Sequence, residues 1–119
     1  MNTATDLRST ARALVRAGTG ILAVDESTGT CNKRFEKLGI APTLENRRAY
    51  RELLLTAPGL GEFISGAILY DETFSQLTKE GEPFVRVMER SGILPGIKVD
   101  TGTVPLESSS VEKVTEGLD

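Results

Sequence analysis

The 119 residues suit one domain with a modest core, and 39% hydrophobic with 26% charged residues is the balance of a globular chain rather than a disordered one. A net charge of −3 gives no field to attract nucleic acid, and no apolar run approaches the roughly 18 residues that suggest a membrane span. With no histidine and one cysteine, Cys31, the sequence excludes a serine–histidine triad, the usual zinc sites and an internal disulfide, and it fits a reducing compartment. Any chemistry must rest on carboxylates, hydroxyls, lysine and arginine.

In chain order, Leu7, Ala11, Leu14 and Val15 share one face of a helix expected over Asp6–Ala17, which Gly18 stops. This amphipathic opening lacks the continuous apolar centre of a secretory signal. In GTGILAVDESTGT, Gly20–Asp25 reads as a short buried strand that ends on Asp25 and Glu26, beside Ser27, Thr28 and Thr30. A short helix is expected from about Cys31 to Leu38, with Gly39 at its end. Thr43 is the N-cap candidate for a longer helix reaching about Ala57; Tyr50, Leu53, Leu54 and Ala57 define its expected inward face. After the turn Pro58–Gly61 comes a second apolar strand, Phe63–Tyr70, ending on Asp71 and Glu72. A helical turn through Leu77 and a polar turn over Lys79–Glu82 follow. Pro83 then opens a helix striped by Phe84, Val87 and Met88 and stopped at Gly92. The third strand, Pro95–Val99, ends with Lys98 and Asp100; Thr101–Ser110 is expected as loop and Val111–Asp119 as the start of a further helix.

Apolar strands alternating with helices predict parallel strands covered on both faces, hence the α/β class. All three strands carry ionisable residues at their carboxyl ends, where such folds build their sites. Solvent alone would accommodate any one of these pairs; three in succession favour a site. Two architectures share that logic. A receiver-like regulatory domain, with a phosphoacceptor aspartate beside Mg²⁺, fits the length but needs five parallel strands. A (β/α)₈ barrel typically needs about 250 residues.

The segments GILAVDESTGT, NKRFEKLGI, ENRRAYRELLLTAPGLGEFISGAILYDET, LPGIKVDTGTVPL and EGLD resemble consecutive motifs of class I fructose-bisphosphate aldolase, in the family's order and at nearly its spacing. The resemblance runs from about Leu14 to Asp119. It implies a partial (β/α)₈ TIM barrel, the first three βα units, forming the N-terminal third of a single aldolase domain. The helix expected after Val111 would then be a third crossover just beginning. It also implies cleavage of fructose 1,6-bisphosphate to dihydroxyacetone phosphate and glyceraldehyde 3-phosphate through a lysine Schiff base, with no metal or other cofactor. The parent is expected to be a cytoplasmic, homo-oligomeric glycolytic enzyme with a sugar-phosphate partner and no nucleic-acid or membrane partner. The Schiff-base lysine belongs to a later strand, so the chain alone is expected to be inactive.

On the same resemblance, Asp25 and Lys98 correspond to catalytic positions, while Ser27, Thr30, Arg34 and Arg47 correspond to substrate-binding ones. Each has a plainer alternative. Asp25 could simply open a loop, and Lys98 could snorkel from a strand end. Ser27 and Thr30 could cap a helix, Arg34 and Arg47 could be solvated charges balanced by Glu36 and Glu45, and Cys31 could be a small core residue. Thr101 stands where the family commonly has a second lysine, and SSSVEKV departs from the usual loop.

Overall fold

The computed structural model describes residues 3–107 and 111–118, with side chains from Asp6 onward. Helix α1 (Thr3–Leu14) precedes strand β1 (Gly20–Ala23), and Gly18 makes the turn between them at φ 77°. Helices α2 (Thr28–Lys37), α3 (Leu44–Leu55) and the short α4 (Leu60–Phe63) lead to β2 (Ile64–Leu69). The short α5 (Asp71–Phe74) and α6 (Phe84–Arg90) then lead to β3 (Leu94–Ile97). All three strands are parallel, in the order β1-β2-β3, with Leu22 opposite Ala67 and Ala67 opposite Pro95. The α/β class read from the alternation of elements is therefore the observed one.

The boundaries follow local chemistry. Thr43 caps α3 by accepting a hydrogen bond from the Asn46 amide at 3.1 Å, and Ser27 caps α2 in the same way through Thr30. Pro83 is the N-cap of α6 rather than its first helical residue. The core lies between β2 and helices α3 and α6. There Ala67 and Leu69 meet Leu55, Phe84, Met88 and Ile93, and the expected stripe Phe84, Val87 and Met88 is wholly buried. Full burial of a side chain such as Leu69 or Phe84 contributes about 1.5–3 kcal/mol.

Three expectations are corrected. On α3, Leu53 is 72% exposed and Ala57 lies on the surface; the inward face is Arg47, Arg51 and Leu55, at four-residue spacing, with Tyr50 and Leu54 at its margin. Two arginines face inward because carboxylates await them there. The sheet is covered on the face that packs against α3 and α6, not on both faces. β1 is exposed along its whole length, and an open groove of about 340 Å³ lined by Leu14, Ile21, Ile68 and Leu94 runs over the other side.

At the C-terminal end, the expected loop and helix are instead an antiparallel hairpin, β4 (Gly102–Pro105) with β5 (Lys113–Glu116). Val104 sits opposite Val114, and the Thr101 amide donates to the Glu116 carbonyl at 2.9 Å. Cross-strand pairing supplies partners that one turn of helix could not. Serines 108–110, within the predicted loop, fall outside the described residues.

Candidate functional site

The sheet ends on a polar layer. Strand β1 runs out through Val24 into Asp25, whose carboxylate is 5% exposed and fixed from three directions. Its Oδ1 accepts from the Glu26 amide at 2.9 Å and from Arg51 Nε at 3.2 Å, and its Oδ2 accepts from the Tyr70 amide at 2.8 Å. Asp25 thereby ties the end of β1 to the residue that follows β2. Glu72, in the first turn of α5, is the second anion of the layer. Arg47 grips it bidentately, Nε to Oε1 at 2.8 Å and Nη2 to Oε2 at 3.2 Å. Arg51 Nη1 also reaches Oε1, at 2.5 Å. These arginines, Arg47 first, hold the Glu72 carboxyl below its usual range, against a smaller upward push from burial.

Arg51 is the hub. Only 2% exposed, it spans Asp25 and Glu72, and it donates further to Gln76 Oε1 at 3.1 Å and the Glu26 carbonyl at 3.4 Å. Two cations and two anions balance, so the buried layer is electrically neutral.

Beside this layer opens a cleft of about 450 Å³ lined by Ser27, Tyr70, Lys98, Asp100, Thr101 and Gly102. Lys98 directs Nζ to Asp100 Oδ1 at 2.5 Å, and Asp100 Oδ2 accepts from the Gly102 amide at 3.2 Å. Lys98, foremost, draws the Asp100 carboxyl below its usual range. Ser27 Oγ accepts from the Thr30 amide at 3.3 Å and donates to Thr30 Oγ1 at 3.0 Å. Arg34, one turn beyond Thr30, is 62% exposed and uses Nε for Glu26 at 2.7 Å, which leaves its two terminal nitrogens without a partner among the described residues.

Ser27 and Lys98 thus share one cleft, with Thr30 and Arg34 on the adjoining face of α2. Lys98 and Asp25 do not pair with one another: Asp100 takes the first and Arg51 the second. Arg47 is buried rather than solvated, and its partner is Glu72 rather than Glu45. Its remaining Nη1 donates to Asn32 Oδ1 at 3.0 Å and the Pro42 carbonyl at 3.3 Å. Cys31 is a core residue, and burial pushes its thiol up.

Sequence reasoning missed Arg51 altogether. A signal was present: Arg47, Arg51 and Leu55 recur at i, i+4 and i+8, and strand-end acids that become buried require cations. Among the described residues no cluster of His, Cys, Asp and Glu could hold a metal ion, no helix is long and apolar enough to cross a membrane, and the parallel sheet has three strands, not the five a receiver-like domain needs.

Residues 6–119 match the family model for fructose-bisphosphate aldolase class-I. A probable fructose-bisphosphate aldolase class 1 of Xanthomonas campestris pv. campestris is 60% identical over 113 residues, 95% of this chain and 34% of that protein. A chloroplastic fructose-bisphosphate aldolase 1 of Chlamydomonas reinhardtii is 55% identical over 96% of this chain and 30% of its own length. Among solved structures, the fructose-bisphosphate aldolase of Plasmodium falciparum, crystallised with TRAP and a small-molecule inhibitor, superposes with a TM-score of 0.86 at 50% identity. That likeness covers 96% of this chain and 33% of the other. The chain spans about a third of the length of these relatives.

Proposed function

The chain belongs to the fructose-bisphosphate aldolase class-I family, and we propose that it supplies the first part of the sugar-phosphate site of a Schiff-base aldolase acting on fructose 1,6-bisphosphate. Its three parallel strands are then the opening βα units of a (β/α)₈ barrel, with the polar layer at the carboxyl-end mouth. The observation that carries this reading is the cleft where Ser27 and Lys98 meet beside a buried, ionically held Asp25, in a chain matched to the family from residue 6 to residue 119.

In the reaction, a lysine amine adds to the substrate ketone, the ketone oxygen leaves as water, and the resulting iminium cation stabilises the carbanion left when the carbon–carbon bond breaks. That lysine is expected from another part of the barrel. Lys33 and Lys37 lie on α2, Lys79 lies in a turn and Lys113 begins β5, so none ends a parallel strand. Asp25 stands beside the bond being broken and receives the hydroxyl hydrogen bond from the adjoining carbon; a carboxylate is suited to taking that proton. Lys98, which gives one of its three N–H donors to Asp100, offers the others to phosphate or sugar oxygens. Ser27 and Thr30, at the amino end of α2, hydrogen-bond a phosphate group, and the free edge of the Arg34 guanidinium adds a charged donor. Arg47, which gives four hydrogen bonds within the fold, supports Glu72 rather than substrate.

On this reading the parent works in the cytoplasm, where its buried cysteine stays reduced, and assembles from identical subunits. Borohydride trapping with dihydroxyacetone phosphate tests the division of labour. The isolated 119-residue chain is expected to give no covalent adduct. The Xanthomonas relative carrying this chain in place of its matching segment is expected to give one. An adduct on the isolated chain would contradict a Schiff-base lysine lying elsewhere.

A further inference from the structure

We propose that Arg51 is the positioning residue for Asp25, an assignment that rests on the aldolase reading for its consequence and on geometry for its substance. A carboxylate offers about four acceptor positions. In Asp25, Oδ1 has both of its positions filled, by the Glu26 amide at 2.9 Å and Arg51 Nε at 3.2 Å. Oδ2 has one filled, by the Tyr70 amide at 2.8 Å, and the other has no partner among the described residues. On the aldolase reading, that remaining position on Oδ2 is the one that receives the substrate hydroxyl. It stays on Oδ2 only while Oδ1 is held in place.

The two amides belong to loops beyond β1 and β2, whereas Arg51 stands on a regular helix. The planar fork of Arg51 is itself fixed at its other corners, by Glu72, by Gln76 Oε1 at 3.1 Å and by the Glu26 carbonyl at 3.4 Å. A guanidinium so anchored has one orientation, and it imposes one on the carboxylate it touches. Arg47 completes the arrangement from one turn earlier by sharing Glu72 without touching Asp25. Positioning thus passes from α3 through Arg51 to Asp25, with Glu72 as the counterweight.

The test uses the 119-residue chain and reads the side-chain rotamer of Asp25 by NMR scalar couplings in wild type, Arg51→Lys and Arg47→Lys. Lysine keeps the charge but lacks the fork. Wild type and Arg47→Lys are expected to show one Asp25 rotamer, and Arg51→Lys an average over two or more. A merely structural arginine predicts similar losses of thermal stability in both variants, with Asp25 unchanged in each. An unaltered Asp25 rotamer in folded Arg51→Lys therefore overturns the assignment, and so does averaging already present in wild type. If Arg51→Lys does not fold, Glu72→Gln, which weakens the far anchor of the Arg51 fork and does not touch Asp25, is read in the same way: rotamer averaging of Asp25 upholds the assignment, and an unaltered rotamer overturns it. Neither result depends on catalysis, so the aldolase reading stands or falls separately by trapping.

Discussion

Replacing Arg51 with methionine keeps most of the side-chain volume and removes the cation that Asp25 and Glu72 share. Breaking a buried ion pair by deleting one partner typically costs about 3–5 kcal/mol, because the other charge stays behind without compensation. Here the lower end applies. Glu72 keeps its bidentate bond from Arg47, and Asp25 keeps the Glu26 and Tyr70 amides, so the charge left without a cation is one carboxylate that is 5% exposed. A loss of about 3 kcal/mol is a large share of the roughly 5–15 kcal/mol that stabilises an ordinary domain. With a urea dependence of about 1–2 kcal/mol per molar, the unfolding midpoint should fall by roughly 1.5–3 M. Arg48→Met is the control. Arg48 pairs with Glu45, which is 70% exposed, and with Glu52, so solvent screening makes its loss smaller than that of Arg51. Equal midpoint shifts for the two variants would refute the view that the layer beneath the strand ends is a buried, mutually dependent network.

Further outcomes follow from single residues. Glu72 has its carboxyl pKa lowered in the fold below the ordinary 4.5, so its contribution to stability is present above that pH and is lost as pH falls through the lower folded value. Glu72→Gln should flatten the acid limb of a stability–pH profile below about pH 4.5; an unchanged limb would contradict the pairing. Cys31, 2% exposed and with its thiol pushed up by burial, should react with a thiol reagent at least about 100-fold more slowly in the folded chain than in urea. Gly61→Ala would set a Cβ 2.0 Å from the Ser91 carbonyl oxygen and should cost about 1–3 kcal/mol. Gly29→Ala, with nothing within 4 Å, should be neutral or stabilising by up to about 1 kcal/mol in the same urea titration.

The sequence displayed what local chemistry controls. Thr43 and Ser27 announce helix starts through their hydroxyls, Gly18, Gly39 and Gly92 turn the chain at positive φ, and Phe84, Val87 and Met88 show a buried face by spacing alone. The strand-end acids were visible as a pattern, but their partners were not. Charge pairing across the fold depends on which side chain arrives from another element. Arg51 reaches Asp25 from 26 residues away, while Lys98 finds Asp100 two residues on. The inward face of α3 was misjudged because hydrophobicity marks Leu53, whereas burial follows the need of Asp25 and Glu72 for cations. The C-terminal hairpin was hidden for a similar reason. Lys113 and Glu116 suit a helix while Val114 and Thr115 favour a strand, and pairing with Gly102–Pro105 decides between the two.

The most direct measurement is steady-state cleavage of fructose 1,6-bisphosphate by the Xanthomonas relative with this chain exchanged for its matching segment, alongside its Asp25→Ala variant. The exchanged enzyme should cleave the substrate, and Asp25→Ala should lower kcat by about 100-fold or more, the scale of a lost acid–base group. A folded exchanged enzyme whose kcat is indifferent to Asp25→Ala would contradict a substrate site built on the end of β1.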